Sequence, residues 1–217
     1  MPKSGSPKEG LVKEILSKGD LAAREIKGEL WKRDVSFVRS YDRACSGLFL
    51  LTAILWLLPA IAKWSGWELL SFFAQLPRVD FPIALIVVGV FLFTAAVALE
   101  VRIDLMRQKQ GGCHDMHETV VIIREGPYRV IRHPGYLAEM TYFGLLPIVL
   151  SKWVPFTVLA AISMAIAIAS CAYLIRAEDS FNLRKWGEEY RQYREEVPAV
   201  NFVKGLMRLI GGDKLDG

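Results

Sequence analysis

The chain has 217 residues, enough for one domain or two small ones, and apolar residues make up 53% of it. Because these residues are bunched in long runs, the composition indicates a membrane protein rather than a soluble globular one. The net charge of +4 is modest, and no basic run carries interleaved aromatic residues, so nucleic acid is not an expected partner. The three cysteines are far apart, which argues against a disulfide framework.

Residues 1–43 form a charged arm that precedes the first apolar run. The arm has no apolar segment of its own, so no cleavable signal peptide is expected, and the first apolar run is predicted to be a retained anchor. Leu11 and Ile15 share one face of a predicted short helix, and Asp20 is a candidate cap for the next one. We therefore predict amphipathic helices that rest on the membrane surface or on the core domain, and residues 200–210 predict a similar helix.

Four apolar stretches predict membrane-spanning helices. Three of them carry no charged residue and approach the roughly 20 residues that cross a bilayer as a helix. They are residues 44–62, 81–99 and 153–175. The fourth stretch, 135–151, is shorter and contains Glu139, but a tight turn at 151–155 requires an antiparallel partner for the span that follows. A fifth span or re-entrant piece near 120–123 stays open.

The positions of Lys and Arg predict the orientation. These residues number 10 in residues 1–43, 6 in 101–135 and 8 in 176–217, and the two remaining connections hold only 3 of the 27. By the positive-inside rule, both termini and the central loop are expected in the cytoplasm. The connection 63–80 is then external, and its aromatic and leucine residues are expected to lie in the membrane interface.

Polar residues are concentrated at the mouth of the predicted hairpin, in the segment GPYRVIRHPGY at 126–136. Pro134 is predicted to start a helix, and the free N–H groups of a helix start attract anions. With Arg132 and His133 beside them, a bound carboxylate or phosphate is one interpretation. The other is anchoring, in which Arg129 and Arg132 reach lipid head groups. The glycine–proline turn, the two tyrosines and the histidine in one short segment favour a site.

A second polar cluster, RAEDSFNL at 176–183, follows the last apolar stretch. In a helix, Glu178 and Asn182 share a face, where a carboxylate and an amide suit ribose hydroxyls and an amino group. The alternative is an ordinary helix surface on which Glu178 offsets Arg176 or Arg184, and spacing alone favours that alternative.

Other polar residues are less specific. Glu139 is either a functional carboxylate embedded in the membrane or a hydrated residue near the interface. The segment CHDMH at 113–117 matches no structural zinc spacing, so no metal is expected. No glycine-rich dinucleotide fingerprint and no hydrolytic Ser/His/Asp or HExxH arrangement is present.

Two motifs together carry a family resemblance. The sequence GPYRVIRHPGYLAEM, followed after the hairpin by RAEDSFNLRKWGEEYRQYREEVP, resembles the isoprenylcysteine carboxyl methyltransferase and phospholipid methyltransferase superfamily. The resemblance covers about residues 119–202, with both motifs in order and at the expected separation. Members of that superfamily are integral membrane enzymes that use S-adenosylmethionine, so the resemblance implies this cofactor.

Carried over residue by residue, the resemblance implies a cofactor site formed by both motifs. The implied cofactor-binding residues are Gly126, Tyr128, Arg132, His133, Pro134, Tyr136, Leu137, Glu178, Asp179 and Asn182. Asp179 and Asn182 stand where the family usually has Glu and Leu, and Trp186 stands in place of its usual Phe. Tyr190 and Tyr193 match aromatic positions of the family's C-terminal helix. These departures resemble a prokaryotic-type branch and concern the substrate rather than the reaction.

The expected reaction is methyl transfer to a lipid-borne or apolar acceptor in the membrane. Its nucleophile must lie in line with the methyl group at about 3–3.5 Å. The candidate catalytic residues are Arg176, which would orient an anionic substrate head or the cofactor, and Glu139 or Glu178, which would accept a proton from an amine or thiol. A prenylcysteine carboxylate, a phosphoethanolamine amine, a thiol and an isoprenoid head group are all compatible acceptors.

Two other functions compete with this one. Sterol-type reductases, which use NADPH, resemble the superfamily in their C-terminal half, although the short chain argues against this class. A non-catalytic adaptor could bind anionic lipids through its basic loops, but it gives no reason for Glu139, Glu178 or His133.

The expected fold is an all-α polytopic membrane protein with four, or possibly five, transmembrane helices and a cytosolic C-terminal cofactor-binding region. We divide the chain into a cytosolic arm (1–43), two transmembrane helices with a cytosolic loop (44–118), a methyltransferase core with a helical hairpin (119–202) and a C-terminal tail (203–217).

Overall fold

The computed structural model describes residues 35–110 and 122–211, and every regular element among them is helical. The elements in chain order are α1 (Val35–Ser65), a 3-10 turn (Glu68–Leu70), α2 (Ser71–Ala74), α3 (Ile83–Lys109), α4 (Pro127–Val130), α5 (Pro134–Val149), α6 (Val158–Trp186), α7 (Glu188–Glu196) and α8 (Phe202–Ile210). The all-α prediction is therefore confirmed for the described residues. The predicted helices of the N-terminal arm before residue 35 lie outside them.

Three helices are long and apolar enough to cross a membrane, which confirms three of the four predicted spans. They are Ser46–Ser65 within α1, the whole of α3 and the whole of α6. Helix α5 has 16 residues. At the α-helical rise it is about 24 Å long, shorter than the roughly 30 Å hydrocarbon core, so the fourth span stays a prediction. Of the region proposed for a fifth span, the described residues Ile122 and Ile123 lie outside any helix.

Two helices extend well beyond the apolar runs that predicted them. Helix α3 continues ten residues past Leu99 to Lys109, and α6 continues past Ile175 to Trp186. The polar extensions contain good helix formers such as Arg, Glu, Lys, Leu and Met, so the helical conformation does not end where hydrophobicity ends. Gly187 ends α6, because its φ of 58° is a conformation that favours glycine.

Prolines and turns set the other boundaries near the predicted hairpin. Pro134 begins α5 as predicted, and Pro127 begins α4. The predicted tight turn follows α5, where the N–H groups of Trp153 and Val154 both donate to the Leu150 carbonyl oxygen at 2.9 Å.

The described residues form two compact units, each built from separate chain segments. The first unit holds the described parts of Leu99–Gly135 and Ile175–Gly217 together with Val35, and the second holds Ser36–Ala98 and Tyr136–Leu174. Helices α3 and α6 contribute residues to both units. The four-part division predicted along the chain is linear, whereas each of these units is discontinuous.

Small side chains and a polar contact pack the second unit. Ala60, Ala62, Ala138 and Ala160 are almost completely buried. Small residues allow membrane helices to approach closely. The Ser163 hydroxyl donates to a backbone carbonyl of α1 at 2.9 Å, so its polar group is satisfied within the unit.

The first unit contains two small hydrophobic clusters. Tyr190, Tyr193 and Val197 form one around α7, and Ile103, Ile123 and Tyr128 form the other. Backbone hydrogen bonds also join distant segments, because the N–H groups of residues 132 and 133 donate to the carbonyls of residues 198 and 199 at 2.9 and 3.0 Å.

Helix α8 packs on α4 through a glycine. A Cβ on Gly205 would lie 2.0 Å from the Val130 carbonyl oxygen, so Gly205→Ala must push the helices apart. We expect this variant to lower the free energy of unfolding by about 1–3 kcal/mol and to speed hydrogen exchange across α8. Gly144→Ala is the matched control, since no described atom lies within 4 Å of a Cβ there. Unchanged exchange in α8 of the Gly205 variant would contradict the packing.

Candidate functional site

A single buried carboxylate joins the two polar motifs. Asp179, on α6, accepts hydrogen bonds at Oδ1 from His133 Nε2 at 2.8 Å and from the Tyr190 hydroxyl at 2.5 Å. Its Oδ2 accepts from Arg132 Nη2 at 2.9 Å. His133 Nε2 therefore carries the proton of this hydrogen bond, because an ionised carboxylate only accepts. His133 and Arg132 precede Asp179 by 46 and 47 positions in the sequence, and the network brings them into direct contact with it.

The hydrogen bonds of Arg132 are made to other groups of the protein. Its Nη1 donates to the backbone carbonyls of Arg194, at 2.7 Å, and Val197. Its Nη2 is taken by Asp179. Its Nε is buried and has no hydrogen-bond partner among the described residues. Most of the donor capacity that could bind a cofactor carboxylate therefore already has protein partners.

Two tyrosines of α7 remain protonated as hydrogen-bond donors. Burial raises the pKa of Tyr190 well above its usual value, and the neighbouring Asp179 carboxylate raises it further. Burial likewise raises the pKa of Tyr193, whose hydroxyl donates to the backbone carbonyl of Tyr128 at 2.8 Å. Both hydroxyls therefore fasten α7 to the rest of the first unit over the physiological pH range.

A cleft in the first unit lies beside this network. The cleft is partly open to solvent. The lining residues are Arg107, Ile122, Ile123, Tyr128, Arg132, His133, Glu178, Asn182, Trp186, Tyr190 and Tyr193. Apolar and aromatic walls with a few convergent polar groups are typical of small-molecule sites.

Glu178 is the acidic residue of the cleft. Its Oε2 is buried, lies 3.7 Å from His133 Nδ1, and has no hydrogen-bond partner within the described part of the chain. Asn182 lies one helical turn further on and also lines the cleft, as the predicted shared face requires. A buried carboxylate oxygen without a hydrogen bond is costly, so it marks a position where a cationic or hydrogen-bonding group would be favoured.

The family model described as "Protein of unknown function (DUF1295)" matches residues 34–197. The chain belongs to the DUF1295 family. Neither a curated protein nor a solved structure matches it. The match includes every residue that lines the cleft, and it ends before α8.

The DUF1295 protein also places two residues of α3 at the site that the motifs did not predict. Arg107 lines the cleft, and its Nε donates to the Tyr128 hydroxyl at 3.0 Å. A Cβ on Gly135 would lie 3.6 Å from both Glu100 carboxylate oxygens and 3.9 Å from Arg107 Nη2. The Glu100 carboxylate therefore lies close to the start of α5.

A sequence signal for these α3 residues does exist. Glu100, Ile103 and Arg107 are spaced as one face of a helix that continues past the apolar run. Ile103 is completely buried, so this face of the polar extension packs inward.

The other predicted site residues are distributed over both units. Pro134 is buried in the first unit, and Gly126 precedes α4. Tyr136, Leu137 and Glu139 belong to the second unit, where Glu139 Oε2 lies 3.8 Å from the Cys171 sulfur. Arg176 is exposed. Of the three candidate catalytic residues, Glu178 alone lines the described cleft.

No cluster suited to a metal ion occurs within residues 35–110 and 122–211. The segment 113–117, which contains two of the three histidines, lies outside the described residues.

The network predicts a stability effect. Asp179→Asn leaves the buried Arg132 guanidinium without its ion partner, so we expect the free energy of unfolding to fall by about 3–5 kcal/mol, measured by denaturation in detergent micelles. Glu188→Gln is the matched control, because its ion pair with Arg191 is exposed and is expected to contribute less than about 1 kcal/mol. Equal effects of the two substitutions would show that Asp179 is not a structural centre.

Proposed function

We propose that this membrane protein of the DUF1295 family is an S-adenosylmethionine-dependent methyltransferase that acts on a lipid-borne or apolar acceptor. The observation that carries the proposal is the meeting of His133 and Glu178 in one cleft. These residues belong to the two motifs that resemble the isoprenylcysteine carboxyl methyltransferase and phospholipid methyltransferase superfamily. A resemblance in two separate motifs gains weight when the motifs share a pocket.

The charges of the cleft fit the proposed cofactor. S-adenosylmethionine supplies a methyl group activated by a positively charged sulfonium. The Oε2 of Glu178, which has no hydrogen-bond partner among the described residues, offers a negative oxygen to the cofactor's ammonium or sulfonium, and Asn182 offers amide groups beside it. Trp186 and Tyr128 provide flat apolar surfaces suited to the adenine ring.

Arg107 is our candidate for the cofactor carboxylate. Its guanidinium lines the cleft, and its bond to Tyr128 uses Nε rather than the terminal nitrogens, which have the geometry for a bidentate partner. Arg132 fits this role less well, because its terminal nitrogens are bonded to Asp179 and to backbone carbonyls at the C-terminal end of α7.

The acceptor class follows from the three candidate spans. An enzyme embedded through α1, α3 and α6 draws on substrates that reside in the bilayer. Within the proposal, the cleft faces the cytoplasm and Glu178 is the nearest candidate to take a proton from an amine or thiol nucleophile. Glu139 and Arg176 remain candidates for positioning the acceptor.

One alternative has its own supporting observation. Arg107 and Arg132 both line the cleft, and guanidinium groups also bind phosphate, so a reductase that uses NADPH is the second candidate. A buried acidic residue in the same cleft is unfavourable for a polyanionic dinucleotide. A purely lipid-binding adaptor gives no reason for Glu178.

The proposal predicts binding and transfer. Purified protein in nanodiscs should bind S-adenosylhomocysteine by calorimetry, and Glu178→Gln should weaken that binding about 10- to 100-fold, because a charged hydrogen bond is lost. Glu188→Gln, which lies outside the cleft, should bind like the wild type. The wild-type protein should also move labelled methyl groups from S-adenosylmethionine into a lipid extract.

Two binding results would contradict the proposal. A wild-type protein that binds NADPH but not S-adenosylhomocysteine would replace the proposal with the reductase, and binding of neither would remove both enzymatic functions.

The role of Arg107 is tested with a truncated ligand. Methylthioadenosine lacks the amino-acid portion of the cofactor, so Arg107→Gln should weaken S-adenosylhomocysteine binding about 10-fold or more while leaving methylthioadenosine binding nearly unchanged. Tyr128→Phe is the matched control, because it removes the same Arg107–Tyr128 hydrogen bond but keeps the guanidinium. Equal losses for both ligands would assign Arg107 a structural role instead.

A further inference from the structure

Helix α8 carries a continuous apolar stripe on its exposed side. The stripe consists of Phe202, Val203, Leu206, Met207 and Ile210. These positions recur at helical spacing, and Met207 and Ile210 are 63% and 77% exposed. An apolar stripe that the fold leaves uncovered marks an interaction surface.

The opposite side of α8 is fixed to the first unit. Gly205 is buried against the Val130 carbonyl, and the Arg208 guanidinium donates to the Arg129 carbonyl. Asn201 caps the helix by accepting from the Lys204 N–H at 2.9 Å. The helix therefore cannot roll to bury its stripe, and the outward direction of the stripe is a property of the fold.

We propose that α8 is a membrane-docking helix whose stripe enters the lipid interface. A bilayer is available to this chain, because three of its helices are long and apolar enough to span one. The helix also carries the exposed Lys204 and has no acidic residue, which suits anionic head groups. Basic residues flanking an apolar stripe are the pattern of helices that lie in the plane of the membrane surface.

A second copy of the chain is a poorer occupant. The helix has 9 residues. It is about 14 Å long, so its stripe alone falls short of the roughly 800 Å² that each partner buries in a stable protein interface. A lipid bilayer, in contrast, can cover an apolar stripe of any length.

A membrane-docked α8 would also be linked to the cleft through α4. Helix α8 packs on α4, and α4 contains Tyr128, whose side chain lines the cleft. The inference itself does not depend on the proposed methyltransferase activity, because it rests on the stripe, its fixed direction and the membrane spans. The stripe also lies beyond the part of the chain that the DUF1295 family model matches.

Lipid-quenching experiments test the inference. In full-length protein with Cys45 and Cys113 replaced by Ser and the buried Cys171 retained, a fluorophore is placed at Ile210→Cys or at the matched control Lys204→Cys. The protein is reconstituted in nanodiscs of phosphatidylcholine and phosphatidylglycerol, with or without doxyl-labelled lipid. Both positions are exposed, but only Ile210 lies on the stripe. We expect quenching by the doxyl lipid to be several-fold stronger at position 210 than at position 204.

Three outcomes would overturn docking. One is equal lipid quenching at the two positions, and another is stronger quenching by aqueous iodide at position 210. The third is energy transfer between labels at position 210 in nanodiscs that hold two copies, which would assign the stripe to a second chain. If Ile210→Cys fails to fold, Met207→Cys on the same stripe replaces it and is judged by the same comparison.

Discussion

The first unit depends on one buried ion network centred on the Asp179 carboxylate. Side chains from the segment before α5 and from α7 converge on it, and each supplies a donor that the low-dielectric interior makes valuable. Removing the Asp179 carboxylate would leave the buried Arg132 guanidinium without its ion partner, and removing Arg132 would leave the carboxylate without one of its ion partners. The network also borders the cleft, because His133 and Tyr190 both bond to Asp179 and both line its wall.

Two adjacent residues of α6, Glu178 and Asp179, have different environments. Asp179 is saturated by protein donors, whereas the Oε2 of Glu178 has no hydrogen-bond partner in the described residues and faces the cleft with Asn182. Successive helical residues point about 100° apart, so one side chain can serve the scaffold while its neighbour serves a ligand. A motif that contains both residues does not reveal this division, and neither does the charge of each residue.

Local signals predicted the helices, and contacts across the chain supplied the rest. Apolar runs located α1, α3 and α6, and Pro134 marked the start of α5, since both signals act within a few residues. The roles of Glu100 and Arg107 were missed because they arise where α3 meets Gly135 and Tyr128, which are remote in sequence. The same limit applied to Arg132, which lines the cleft and whose bonds to the backbone carbonyls of Arg194 and Val197 no local pattern predicted.

The discontinuity of the first unit bears on how the protein is made. The described walls of the cleft come from residue 107 and from residues within 122–133 and 178–193, and the Arg132 anchor extends to Val197. The ribosome must therefore deliver the whole of α6 and α7 before the buried charges meet their partners. Assembly of the first unit therefore waits until nearly all of the described chain has been synthesised.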